Sequence, residues 1–187
     1  MSEKLIVRHC APTLAGIKTA NLFSVKITSK AELYENIRAM NKRFRYKGLC
    51  FIPLSVCDKK ALIYVFRPKK LKEDFSSPLA AKFLLKMGYT PDCSEGCGRC
   101  ICLLRSRLVK NGEFPHEIGL FLGYPPADVK GFIENNASCE KCVGCWKVYS
   151  DVNAALKTFS RYKKCTEVYN RHFENGASLD KLTVKSA

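Results

Sequence analysis

Acidic side chains are scarce in this chain, long apolar runs are missing, and no catalytic signature of known mechanism is present. No segment approaches the ~18 uninterrupted apolar residues that a membrane span requires, so no span is expected. The stretch Met1-Ser-Glu-Lys-Leu-Ile-Val-Arg-His-Cys10 has neither a long apolar h-region nor a small-residue cleavage site. A signal peptide is therefore not expected, and the reading is cytoplasmic, where thiols stay reduced. There is no Walker loop, no G-x-S-x-G, no HExxH and no GxGxxG opening a helix, so no reaction is specified and enzyme status stays open. Internal repeats, low-complexity segments and flexible linkers are also missing, which suits a single domain over 1–187.

What is present is basic. Lys and Arg number 32 against 17 Asp and Glu, a net charge of +15. Residues 1–91 hold 18 basic and 6 acidic side chains, whereas 92–187 hold 14 and 11. A potential of that sign favours an acidic protein, nucleic acid or an anionic membrane surface as partner, while Lys solvated on every face explains the same composition. A hydrophobic content of 47% is enough for a core.

Local patterns divide the chain in the same way. Asn21–Thr28 alternates apolar and polar residues as a strand does. Thr28 or Ser29 can cap a helix running to about Lys47, with Leu33, Ile37, Met40 and Phe44 on one stripe and Gly48 as its stop. Leu49–Val56 and Ala61–Phe66 are β-rich runs around a hairpin at Cys57–Lys60, and Pro53 marks the first as an edge strand or a bulge. Beyond this β-α-β-β part, helices are expected from Ser77-Pro78 to near Gly88 and over Leu103–Lys110. Further helices are expected from Pro115 to Gly123, from Pro125-Pro126 to Asn135-Asn136, and from Ser150 or Asp151 to Asn175-Gly176. The expected class is α+β: a small sheet packed on helices, followed by a mostly helical, Cys-rich half.

Eleven cysteines, an odd number, read as packing, metal ligation or redox chemistry rather than as a disulfide framework. One group is Cys93-x3-Cys97-x2-Cys100-x-Cys102, with Gly96 and Gly98 between them. Thiolates in such a loop can converge on zinc or an iron–sulfur cluster. The spacing is also that of radical enzymes that cleave S-adenosylmethionine, but the 85 residues after Cys102 are too few for the barrel those enzymes build. On a helix, Cys93, Cys97, Cys100 and Leu104 instead make one apolar face. Two glycines cost that helix about 1 kcal/mol each, which tilts residues 93–99 toward a loop. A second group is Cys139-x2-Cys142-x2-Cys145. It needs a turn at Gly144 to chelate, with Cys165 or a member of the first group as fourth ligand.

The other polar candidates are His9-Cys10 and His116-Glu117. Cys10 beside His9 and Arg8 could be an activated thiol. His116 lies in a first helical turn, where the dipole favours a neutral imidazole able to act as ligand or base. The alternative for His116 and Glu117 is helix capping and surface hydrogen bonding. Arg38–Lys47 interleaves aromatics with cations, as single-strand nucleic-acid binders do, but Phe44 falls on the apolar stripe and no nucleic-acid recognition motif is present.

Five blocks, His9-Cys-Ala-Pro-Thr-Leu-Ala-Gly16, Ala20-Asn-Leu-Phe23, Tyr64-Val-Phe-Arg-Pro68, Phe114–Ile133 and Trp146-Lys-Val-Tyr149, together resemble the family catalogued as domain of unknown function 3793. The resemblance runs nearly end to end. It implies a cytosolic protein of anaerobic bacteria with no assigned reaction, and its gene surroundings point to metal or redox physiology and to a flavodoxin-like acidic partner. In the family a Cys-Gly-Tyr commonly precedes the last block, where this chain has Val143-Gly144-Cys145 with further cysteines upstream. That departure moves a family-wide role toward His9, Cys10 and His116.

The leading expectation is an accessory protein of anaerobic metal homeostasis. It would bind zinc or an iron–sulfur cluster through Cys93, Cys97, Cys100, Cys102, Cys139, Cys142 and Cys145, or carry out thiol chemistry. The alternatives are a binding module docking an acidic protein or nucleic acid through its basic half, and an enzyme using His9, Cys10, His116 and Glu117.

Overall fold

In the computed structural model, which describes residues 2–91, 96–110 and 114–186, the chain forms two compact units. One joins residues 1–69 to 162–187 and the other spans 70–161. The charge asymmetry follows these units: the first carries 19 basic and 7 acidic side chains, the second 13 and 10.

The first unit begins with a helix, α1 (Glu3–Leu14), that the strand and turn patterns do not announce. Ile6, Cys10 and Leu14 recur at four-residue steps and are fully buried, which was the available signal. Pro12 inside the helix and the β-branched pair Ile6-Val7 mask it. The order is therefore α-β-α-β-β. Strand β1 (Ala20–Lys26) is followed by α2 (Lys30–Phe44), whose N-cap Ser29 accepts from the Glu32 amide as a capping hydroxyl should. A 3₁₀ turn (Arg45–Lys47) ends at Gly48, whose φ of +71° suits glycine.

Strands β2 (Cys50–Cys57) and β3 (Lys60–Phe66) form the hairpin, and the antiparallel sheet has the order β1-β3-β2. As Pro53 indicates, β2 is an edge strand with a bulge between Pro53 and Ser55. Asn41 of α2 covers part of that edge: its amide donates to the Phe51 carbonyl and its carbonyl accepts from the Phe51 amide, both at 2.8 Å. Ile63 and Val65 of β3 face a core shared with Ile6, Cys10, Leu14, Ile37 and Phe44. On the opposite face the rings of Tyr64 and Phe66 stack at 4.8 Å. A central strand buried on both sides needs such a continuous apolar run.

Arg67, immediately after β3, is 1% exposed and spends all five guanidinium hydrogens inside the unit. It donates to the carbonyls of Thr13 (2.6 Å) and Leu14 (2.7 Å) at the end of α1, and to the carbonyls of Val184 (2.8 Å) and Lys47 (3.3 Å). The fifth hydrogen goes to Ser186 Oγ at 2.8 Å. The last carbonyls of α1 lack intrahelical partners, and a cation there also meets the negative end of the helix dipole. Burial pulls the Arg67 pKa below the ordinary arginine value. Thr13 Oγ1 in turn bonds Asn21 Oδ1 at 2.7 Å. Three separated sequence blocks are thus tied through one guanidinium.

The second unit is mostly helical. Its helices are α3 (Pro68–Phe75, which starts two residues before the unit does), α4 (Pro78–Lys86), α5 (Gly96–Lys110), α6 (Ile118–Phe121) and α7 (Pro126–Glu134). A two-residue hairpin, β4 (Cys142–Val143) with β5 (Lys147–Val148), follows them. The helix α8 (Val152–Glu174), with Asp151 accepting from the Ala154 amide, carries the chain back to the first unit, where Ser178 caps α9 (Leu179–Leu182). Residues 96–99, expected as loop, are helical. Burying Cys100, Ile101 and Leu104 on one face gains several kcal/mol at ~25 cal/mol/Å², which outweighs two glycines at ~1 kcal/mol each. Among the described residues no helix is long and apolar enough to cross a membrane.

Replacing Arg67 by Leu removes five hydrogen bonds from a buried site and should lower stability by about 3 kcal/mol or more; Lys, with three donors, should recover only part. Urea unfolding followed by far-UV circular dichroism measures this, and a loss below about 1 kcal/mol for Arg67→Leu contradicts the role given to Arg67.

Candidate functional site

Pro125-Pro126-Ala-Asp128 starts α7 and places an aspartate in its first turn, where a carboxylate suits the helix dipole. Asp128 is 2% exposed and accepts four hydrogen bonds. They come from Trp146 Nε1 (2.7 Å), the amides of Tyr149 (2.8 Å) and Ser150 (2.7 Å), and Ser150 Oγ (2.7 Å). Burial alone would raise its pKa, but these donors outweigh burial and hold it below the usual carboxylate value. One carboxylate therefore fixes segment 146–150 against the start of α7.

Two glycines let the parts close up. A Cβ on Gly131 would lie 2.6 Å from the Tyr149 side chain, and one on Gly144 would collide with the Phe159 ring. Phe159 also meets Trp146 edge-on at 4.5 Å, and Tyr124 stacks on the indole at 5.0 Å and 29°.

The result is a cleft of about 370 Å³ within the second unit, bounded by α6, α7 and the β4–β5 hairpin. Its walls combine aliphatic side chains, including Ile118, Leu122 and Val129, with the rings of Phe114, Tyr124, Phe132 and Trp146. The polar side chains in the wall are His116, Asp128 and Lys147, alongside the Tyr124 hydroxyl. Lys147 Nζ is held by the Ala137 carbonyl (2.7 Å) and Glu140 (3.0 Å). His116 is exposed and packs edge-on against Phe132 at 5.0 Å.

Glu117 turns away from the surface role expected of it. It is 3% exposed and makes no side-chain cap bond. It accepts from Tyr89 Oη (2.9 Å) and Arg107 Nη1 (2.6 Å), and Arg107 also reaches the Met87 carbonyl and lies 4.7 Å over the Tyr89 ring. Burial, followed by the Glu117 charge, pushes the Tyr89 hydroxyl pKa up. This is a brace between α5, the turn after α4 and the start of α6.

Cys10 is fully buried in the first unit, and burial pushes its thiol pKa up, which is the setting of a packing cysteine rather than an activated one. His9, its neighbour on α1, is exposed with its ring stacked on Phe23 at 5.3 Å. Cys93 lies outside the described residues. On α5, Cys100 is 1% exposed, Cys97 is half-buried and Cys102 is exposed. Cys142 sits in β4, Cys145 is exposed in the turn, and Cys139 is exposed with φ +61°. Among the described residues, no three His, Cys, Asp or Glu side chains are grouped so as to hold a metal ion. In the basic segment, Arg43 is committed to Glu3 and Asp180, and Lys47 to the Asp180 and Thr183 carbonyls, so two of its cations hold the fold.

Sequence reasoning singled out His116 and Glu117 but not Asp128, Tyr124, Phe132 or Trp146. All lie in the two blocks Phe114–Ile133 and Trp146–Tyr149, and an aspartate two residues after Pro-Pro, in a first helical turn, was the available sign. A family model described as "Protein of unknown function (DUF3793)" matches residues 6–183. No curated protein and no solved structure matches the chain.

Asp128→Ala should cost about 3 kcal/mol and red-shift the emission of Trp146, the only tryptophan in the chain. Because the native pKa of Asp128 is depressed, its contribution is complete above the unfolded value of about 3.9 and is lost as pH falls through the lower native value. Urea unfolding read by Trp146 emission between pH 3 and 7 checks both, and an unchanged midpoint in the variant contradicts them.

Proposed function

The chain belongs to the DUF3793 family, and from the placement of its two C-terminal likeness blocks we propose that it is a small-molecule binding protein whose second unit holds a compact, largely apolar ligand. The observation that carries this reading is the cleft itself. Residues 114–132 and 143–147, remote in sequence, line a single cavity at the lower end of the usual ligand-pocket range of about 300–1,000 Å³. Its walls are held by buried hydrogen bonds and close glycine contacts, so little ordering is required on binding. Apolar walls with few polar groups are the usual composition of such sites.

Thiol chemistry at the rim is a second reading. Val143 and Gly144 line the cleft, and in sequence they are bracketed by Cys142, half-buried, and Cys145, exposed. A ligand seated there would cover part of the hairpin that carries both sulfurs.

The neutral probe N-phenyl-1-naphthylamine should bind the full-length protein saturably at one site, quenching Trp146. Val143→Phe, which narrows the mouth at a 62% exposed position, should weaken binding at least fivefold. Non-saturable binding, or binding indifferent to Val143→Phe, contradicts the proposal. For the second reading, the same probe should slow alkylation of Cys142 and Cys145 by iodoacetamide several-fold, with exposed Cys57 and Cys102 as unaffected controls in peptide mass spectra. Equal rates with and without probe contradict it.

A further inference from the structure

The cleft wall narrows the chemistry of its occupant. Five rings line it, His116 among them, and Tyr124 and Trp146 are stacked within 29° of parallel. Ring faces are covered best by another flat ring, in offset-stacked or edge-on contact. A flexible chain of the same volume would lose more conformational freedom on entering.

Polar selectivity comes from what the wall has left to offer. The Asp128 carboxylate is 2% exposed and already accepts four hydrogen bonds. The indole N–H is spent on Asp128, and Lys147 is held by a carbonyl and by Glu140. The His116 imidazole has its edge contact with Phe132 and, among the described residues, no hydrogen bond. It is a donor in either neutral tautomer and doubly so when protonated. With Asp128 2% exposed and its hydrogen bonds already taken, the accessible polar groups of the wall are donors, His116 and the Lys147 ammonium, and they favour an acceptor.

We propose, on the footing that the cleft binds ligand at all, that its occupant is a flat aromatic molecule of one or two fused rings bearing a carboxylate or phenolate. In this arrangement His116 is the specificity-determining contact. The ring lies among Tyr124, Phe132 and Trp146, and the oxyanion accepts from the imidazole at the rim.

The test is displacement of N-phenyl-1-naphthylamine from the full-length protein by three competitors of similar size: 2-naphthoate, 2-naphthalenemethanol and decanoate. At pH 6, 2-naphthoate should bind at least tenfold more tightly than either of the others. His116→Ala should shrink the ratio of naphthoate to naphthalenemethanol affinity to within about twofold, and His116→Arg, which keeps a donor and a positive charge, should restore it. Position 116 is exposed, and unaltered Trp146 emission would verify that both variants are folded. A naphthoate preference that survives His116→Ala, or decanoate binding as well as naphthoate, overturns the inference while leaving a binding cleft in place. Absence of probe binding overturns the cleft reading and this inference with it.

Discussion

A charge taken out of water has to find its hydrogen bonds inside the protein, and two buried charges organise this molecule under that constraint. Arg67 meets neutral acceptors only, in the first unit, and Asp128 meets only donors, in the second. Each gathers backbone groups at the end of an element: the C-terminal carbonyls of α1, which also accept from backbone amides, in one case, the amides of Tyr149 and Ser150 in the other. Each also spans sequence blocks that are far apart.

The two networks differ in what surrounds them. In the first unit the three blocks around Thr13, Asn21 and Arg67 bond one another and so contribute to stability. In the second unit the network of Asp128 does more than hold the fold. It sets Trp146 upright against Tyr124 and Phe159 and opens the space beside it. A functional reading therefore falls on the second unit, although most of the positive charge lies on the first.

Much of the secondary structure was legible because it is locally encoded. Ser29, Ser77 and Ser178 cap where cap chemistry indicates, Pro53 marks the edge strand and its bulge, and Gly48 ends a helix in the left-handed region. Helix α1 was hidden by Pro12, and α3 by its short, Lys-rich repeat around Leu71 and Phe75. The start of α5 is helical rather than loop because burial of the apolar face of Cys100, Ile101 and Leu104 outweighs the cost of two glycines. The site was less legible. Cysteine spacing drew attention to ligation, whereas the described thiols are dispersed among a core, a helix and a hairpin. The cleft depends on a carboxylate and an indole 18 residues apart, a pairing that no spacing rule encodes.

The central claim is that the space beside Trp146 is a preformed receptor for a small ligand. Its most direct test is two-dimensional NMR of the full-length protein, in which the single indole N–H gives one resonance that reports on this wall alone. On addition of 2-naphthoate, that resonance should move saturably, with the amides of Ile118–Phe132 and Val143–Lys147. An unmoved indole signal, or small shifts spread evenly over the whole chain, would contradict the account.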